Sequence, residues 1–145
     1  MAETTLTDAL TIQREMFAAV QRGDMKVLRG LLHPDYSYTA SDGVERPGPS
    51  AGVAVAELYT TAFPDLTLEE VRSWSPSPDV SIMEIHYAGT NTGPLGDVPP
   101  TGRRAEGLGC NIVEVRDGTI WREHEFFDEL AMLRQLGLAE DESGV

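Results

Sequence analysis

The chain has 145 residues, 41% of them hydrophobic and 24% charged, with a formal net charge of −13. That acidity excludes a basic footprint for nucleic acid, and no apolar run approaches a membrane span. The single cysteine, Cys110, excludes an intrachain disulfide and a Cys-rich metal site. Residues 1–145 read as one domain, long enough to bury a core without staples. The opening MAETTLTDAL lacks a basic region followed by an apolar run, so no secretory signal is expected and a cytoplasmic location is the default. Residues 1–6 and the acidic end, 139–145, are expected to be flexible.

Thr7 or Asp8 opens a helix to about Arg22, with Leu10, Met16, Phe17 and Val20 at helical spacing. Gly23 stops it, and Asp24 opens a short second helix, MKVLRGLL, ending before His33-Pro34. DYSYTASDG reads as a short strand running into a turn, with Tyr36 and Tyr38 on one face, and ERPGPS reads as a loop. Ser50 opens a third helix, AGVAVAELYTTAF, closed by Pro64.

The second half changes period. LTLEEVRSW, DVSIMEIHYAGT, AEGLGCNIVEVR and TIWREHEFF alternate or are rich in β-branched residues, and turn signals separate them. Asp117-Gly118 is a strong hairpin signal, whereas TGPLGDVPPTGRR is too long for a tight hairpin. A last helix, ELAMLRQLGL, stops at Gly137. Three helices followed by an antiparallel meander is an α+β layout. Helices on the concave side of a curved sheet leave a cone-shaped cavity suited to a small molecule.

The titratable groups best placed for chemistry are His124, Glu125 and Asp128, at the junction of the last strand and last helix beside Trp121, Phe126 and Phe127. Asp128 reads either as a general base, its pKa raised by an apolar surround, or as the N-cap of the last helix. His124 shares strand parity with Phe126 and, nominally, with Asp128, so it reads as an assisting acid or as a satisfied surface histidine. Glu123 and Glu125 alternate with His124 and are expected to face solvent or a partner. If Glu125 instead pointed inward, it would pair with Asp128 in a two-carboxylate site suited to epoxide opening.

Met83, Ile85 and Tyr87 share the expected cavity face of their strand, with Glu84 and His86 on the other. Cys110 and Asn111 lie on opposite faces of one strand, and which of them faces inward is not readable. Tyr36, Tyr38, Tyr87, Asn91 and Asn111 are candidate anchors for a carbonyl or phenol, since a hydroxyl or amide can hold an oxygen as it gains charge. Phe17, Phe63, Met83, Tyr87, Trp121 and Phe126 are expected to form the cavity wall. The spacing of His33, His86 and His124 matches no metal-ligand pattern.

AFPDLTLE (62–69), AGTNTG (88–93), VPPTGRR (98–104), RDGTI (116–120) and FFDELAMLRQLG (126–137) occur in this order. As an ordered set they make the chain resemble the SnoaL-like polyketide cyclases of the NTF2-like superfamily. The resemblance implies a cone-shaped α+β barrel, commonly homodimeric, whose cavity takes a hydrophobic small molecule. It implies intramolecular aldol cyclisation without metal or organic cofactor, with Asp128 at the place of the acid–base aspartate. Related proteins open epoxides, isomerise ketosteroids or only bind ligands, so fold alone does not fix the reaction. Two positions depart from the family pattern: Asn91 stands where histidine is frequent, and His124 where tryptophan is frequent.

Overall fold

The computed structural model of the chain describes residues 8–140. The flexibility expected of residues 1–6 and 141–145 therefore falls outside the described residues, while Ala139 and Glu140 follow the last helix, where Arg134 Nε donates to the Glu140 carbonyl at 2.9 Å.

Asp8 opens α1 (Ala9–Gln21): its Oδ1 accepts from the Thr11 N–H at 2.9 Å, satisfying a donor the helix itself cannot. Ala9, Ile12, Met16 and Ala19 form the buried stripe of α1. Asp24 repeats the device for α2 (Met25–Gly30), accepting from the Val27 N–H at 3.1 Å. The third helix, α3 (Pro49–Ala62), begins one residue before the expected cap: Gly48 is the N-cap, not Ser50, and Pro49 occupies the first turn, where its missing N–H costs nothing.

Six strands form one sheet in the order β2-β1-β6-β5-β4-β3: β1 (Leu32–Thr39), β2 (Glu45–Pro47), β3 (Thr67–Ser77), β4 (Val80–Thr90), β5 (Arg104–Arg116) and β6 (Thr119–Phe127). The meander β3–β6 is as expected. The N-terminal half adds more than the sequence pattern showed. β1 starts earlier, at Leu32, and runs through His33-Pro34; part of ERPGPS becomes β2; and β1 lies parallel to β6, so the sheet is mixed. Asp117 and Gly118 turn β5 into β6 with φ of 54° and 77°, the positive values a two-residue hairpin requires.

The helices cover one face of this curved sheet in two packed groups. Ile12, Met16 and Leu28 meet Tyr36, Val113 and Ile120, while Ala62 and Phe63 meet Ala105, Met132 and Leu136 of the last helix, α4 (Glu129–Gln135), and the residue after it. Between the groups the core stays open. No helix of the described residues is long and apolar enough to cross a membrane.

Candidate active site

The register of β6 decides which of its charged residues enter the interior. From Gly109↔Phe127 to Glu114↔Arg122 the β5–β6 ladder is regular; then Val115 pairs Ile120, so β6 carries one extra residue at Trp121. This bulge lets Ile120 and Glu123, which differ in parity, both face the helices. Glu123, Glu125 and Phe127 therefore point into the cavity. The expectation that both glutamates face solvent or a partner is corrected: it took its parity from Asp128, which lies past the strand end as an exposed helix cap and does not mark the cavity face of β6.

The parallel neighbour β1 supplies their partners. Tyr36 and Tyr38 share one face, as expected, and both line the cavity. The Tyr36 hydroxyl donates to Glu123 Oε1 at 2.6 Å, and the Tyr38 hydroxyl donates to Glu125 Oε2 at 3.0 Å. Behind Glu123 lies a buried amide relay. Ser81 Oγ donates to Gln13 Oε1 at 2.6 Å, Gln13 Nε2 donates to Asn111 Oδ1 at 2.9 Å, and Asn111 Nδ2 donates to Glu123 Oε2 at 2.8 Å. Asn111 is thus the inward residue of its strand, but it holds Glu123 rather than lining the cavity. Cys110 sits on the opposite face beside Trp74 and Phe126, and burial pushes its thiol up.

The rest of the cavity is apolar, with about 910 Å³ of empty space counting its open mouth. Phe17, Phe63, Leu66, Ile85 and Phe127 supply much of the wall, and Tyr59 and Tyr87 meet Phe127 edge to face at 6.0 and 5.8 Å between ring centres. Gly107 makes room for Tyr87, since a Cβ there would lie 2.8 Å from its hydroxyl.

In this surround, burial raises the pKa of Glu123, and burial together with the charge of Glu123 raises Glu125 to about 7. The Tyr36 and Tyr38 phenols are pushed well up by burial and by the glutamates they face. Tyr59 is raised by burial, with Glu129 and Glu125 adding to it.

Asp128 lies at the rim. Its side chain is exposed, and its Oδ1 accepts from the Ala131 N–H at 2.9 Å as the N-cap of α4. Its charge still reaches the cavity: after burial, it is what raises the Tyr87 phenol. His124 lies on the other face of β6, between Ile112 of β5 and Thr39 of β1, so the structure does not bring it together with Asp128 in the cavity.

Four other expected site residues lie elsewhere. Asn91 is fully buried and latches the 91–101 loop, its Nδ2 donating to the carbonyls of Ala62 and Gly93 and its Oδ1 accepting from Thr101. Met83 is buried but is not among the residues lining the cavity. Trp121, at the bulge, meets Arg116 and Arg122, whose guanidinium carbons lie 3.6 and 4.0 Å from its ring centre. Phe126 is 44% exposed on the outer face. These three were expected in the cavity wall and do not line it; Trp121 is the extra residue of the bulge, and Phe126 alternates with the inward Glu125 and Phe127.

Glu123, Gln13, Ser81 and Tyr59 were missed as site residues, while for Glu125 the inward alternative is the one the structure shows. The available signal was a match of two period-two pairs, Tyr36-x-Tyr38 and Glu123-x-Glu125, with Phe127 continuing the second.

Helices over a curved mixed sheet, closing on a phenol- and carboxyl-lined cavity, define the ketosteroid isomerase-like or NTF2-like α+β fold. Within it the chain belongs to the SnoaL-like polyketide cyclase family, whose model matches residues 10–136. It is similar to nogalonic acid methyl ester cyclase of Streptomyces nogalater, 30% identical over 124 residues covering 84% of this chain and 92% of that protein. Aklanonic acid methyl ester cyclase DnrD of Streptomyces peucetius is 27% identical over 135 residues, covering 91% and 92%. Among solved structures, wild-type IdmH from Streptomyces antibioticus superposes with a TM-score of 0.74 at 27% identity, covering 87% of this chain and 96% of that one.

Proposed function

We propose that the protein is a cofactor-independent enzyme that closes a ring in a polyketide-like ketone by intramolecular aldol addition. The observation that carries this reading is an apolar, phenol-lined cavity whose wall residue Phe127 leads directly into Asp128, a carboxylate held by one oxygen at the start of α4. In this reading Asp128 is the base. The Ala131 N–H fixes one of its oxygens, and the other takes a proton from the carbon next to a substrate carbonyl. The apolar wall and the stacked Tyr59, Phe127 and Tyr87 suit a flat polycyclic substrate. Membership of a family whose members include two methyl ester cyclases supports the same reaction class. His124, on the far face of β6, has no part in this reading.

The same reading takes the protein to be a cytoplasmic homodimer that buries the exposed outer-face residues Trp74 and Phe126; light scattering on the purified protein checks the assembly. The reaction is tested by incubation with nogalonic acid methyl ester and aklanonic acid methyl ester. Conversion to a product of unchanged mass, lost in Asp128→Asn, is expected. No conversion of either ester, or full activity in Asp128→Asn, overturns it.

A second reading has a specific observation behind it. Glu125 does point inward, so the cavity end holds Glu125 within and Asp128 at the rim, two carboxyls that would suit epoxide opening by water. The oxygen source of the product separates the two readings.

A further inference from the structure

Aldol closure needs an acid as well as a base. As the new bond forms, the ketone oxygen gains charge, and in an apolar pocket that charge is costly unless a proton or donor meets it. Asp128 takes the first proton and leaves this second task open.

The cavity contains a carboxyl with a free oxygen. Glu125 accepts from Tyr38 at Oε2 only, whereas both oxygens of Glu123 are occupied, Oε1 by Tyr36 and Oε2 by Asn111. The relay behind Glu123 also has a fixed sense. The Ser81 hydroxyl donates to Gln13, which turns the Gln13 NH₂ toward Asn111 and the Asn111 NH₂ toward Glu123. Glu123 is thus held as an acceptor at both oxygens. Among the described residues no ion pair joins either glutamate to a lysine or arginine, and His124, acting on Glu123 from the other face of β6, is the one cation that offsets their charge, so two adjacent charges would stand poorly compensated. One proton between the pair relieves this, and Glu125 has the oxygen to hold it.

We propose that Glu125 is a second catalytic residue, the acid of the ring closure, delivering a proton from Oε1 to the ketone oxygen, and that Glu123 is the positioning residue that keeps that proton on Glu125. This rests on the aldol reading for its chemical step. In that step the base takes the α-hydrogen as a proton, and the C–H electron pair becomes an enolate whose carbon bonds the ketone carbon. The C=O π pair moves to oxygen and takes the proton of Glu125. Asp128 then gives its proton to water at the mouth and Glu125 takes one up from water, so product and substrate are isomers and no redox partner is consumed.

The groups facing Glu125 fit this role. Glu123 on the same strand raises its pKa, and the Tyr38 hydroxyl from β1 lowers it by donating to the ionised form. Tyr59 from α3 is the next phenol out and itself feels Glu129 of α4 and Tyr87 of β4. Burial exceeds the Tyr38 contribution, which leaves Glu125 at about 7.

The test is a pH titration of the protein labelled with carbon-13 at the glutamate carboxyls, followed by NMR. One carboxyl is expected to titrate near 7, to vanish in Glu125→Gln, and to move at least about one pH unit lower in Glu123→Gln, where the neighbouring charge is gone. Titration of Glu125 in the ordinary carboxylate range, or no movement in Glu123→Gln, overturns the proposal. A second measurement reads the donor directly: the carbonyl stretch of bound 1-tetralone is expected at lower frequency in the wild type and in Asp128→Asn, and unshifted in Glu125→Leu. An equal shift in Glu125→Leu also overturns it. Neither measurement needs turnover, so failure of the aldol reading, seen as unconverted esters, is distinguishable from failure of this one.

Discussion

The Tyr38 hydroxyl donates to Glu125 Oε2 at 3.0 Å across the parallel β1–β6 pair. This bond favours the ionised carboxyl, against the burial and the Glu123 charge that favour the protonated one. Tyr38→Phe removes only the donor. The Glu125 titration is therefore expected to move above the wild-type midpoint of about 7. A downward shift by carboxyl NMR contradicts the assignment.

The same group makes stability depend on pH with a defined sign. Glu125 titrates near 7 in the folded chain, above the ordinary glutamate value, so the folded state binds its proton more tightly than the unfolded state. Its contribution is fully present below about pH 4.3 and is lost as pH rises through about 7. Glu123 acts in the same direction. Asp65, lowered by the Thr90 N–H, and Glu70, lowered by Arg14, act in more acid solution and leave this window alone. Urea unfolding is expected to show a loss on the order of 2–3 kcal/mol between pH 5 and 8, much reduced in Glu125→Gln. A flat wild-type profile counts against a raised Glu125.

Asp128 combines a capping bond with a proposed chemical role, and substitution separates them. Asn and Ser both cap helices well, whereas Ala loses the bond to the Ala131 N–H. Asp128→Ala is expected to lower stability by about 1 kcal/mol, and Asp128→Asn by less. Turnover of a polyketide ester is expected to fall roughly 100-fold or more in both. Activity that tracks stability rather than the carboxyl would reduce Asp128 to a cap.

Asn91 makes both ends of its amide available to the loop and neither to the cavity. Asn91→Ala leaves the Thr101 N–H and the Ala62 and Gly93 carbonyls short of a partner, at an expected cost of about 2–4 kcal/mol in urea unfolding. Turnover by the folded fraction is expected to change little. A large loss of turnover at unchanged stability would return Asn91 to the site.

Local signals carried most of the architecture. Asp8 and Asp24 as caps, Asp117-Gly118 as a hairpin, the four-strand meander and the shared face of Tyr36 and Tyr38 could all be read from neighbouring residues, because each depends on a few adjacent positions. The pairing of β1 with β6 could not, since it joins segments some 85 residues apart and β1 carries Pro34, which weakens its strand pattern. The bulge at Trp121 was equally silent. It lets Ile120 and Glu123 share a face without leaving a glycine or proline to mark it, and the facing of Glu125 and Phe126 could not be taken from Asp128, which lies past the strand end. The family-implied aspartate was thus visible in sequence, while the buried glutamates needed the register.

The central claim is that the cavity moves protons within one substrate and adds nothing to it. The most direct measurement is the mass of the product formed from a polyketide ester in water enriched in heavy oxygen, with carbonyl exchange measured in parallel using Asp128→Asn. The account predicts a product isomeric with its substrate and free of solvent oxygen beyond that exchange. A product heavier by one water and carrying the heavy isotope would contradict it and would assign the Glu125 and Asp128 carboxyls to epoxide opening.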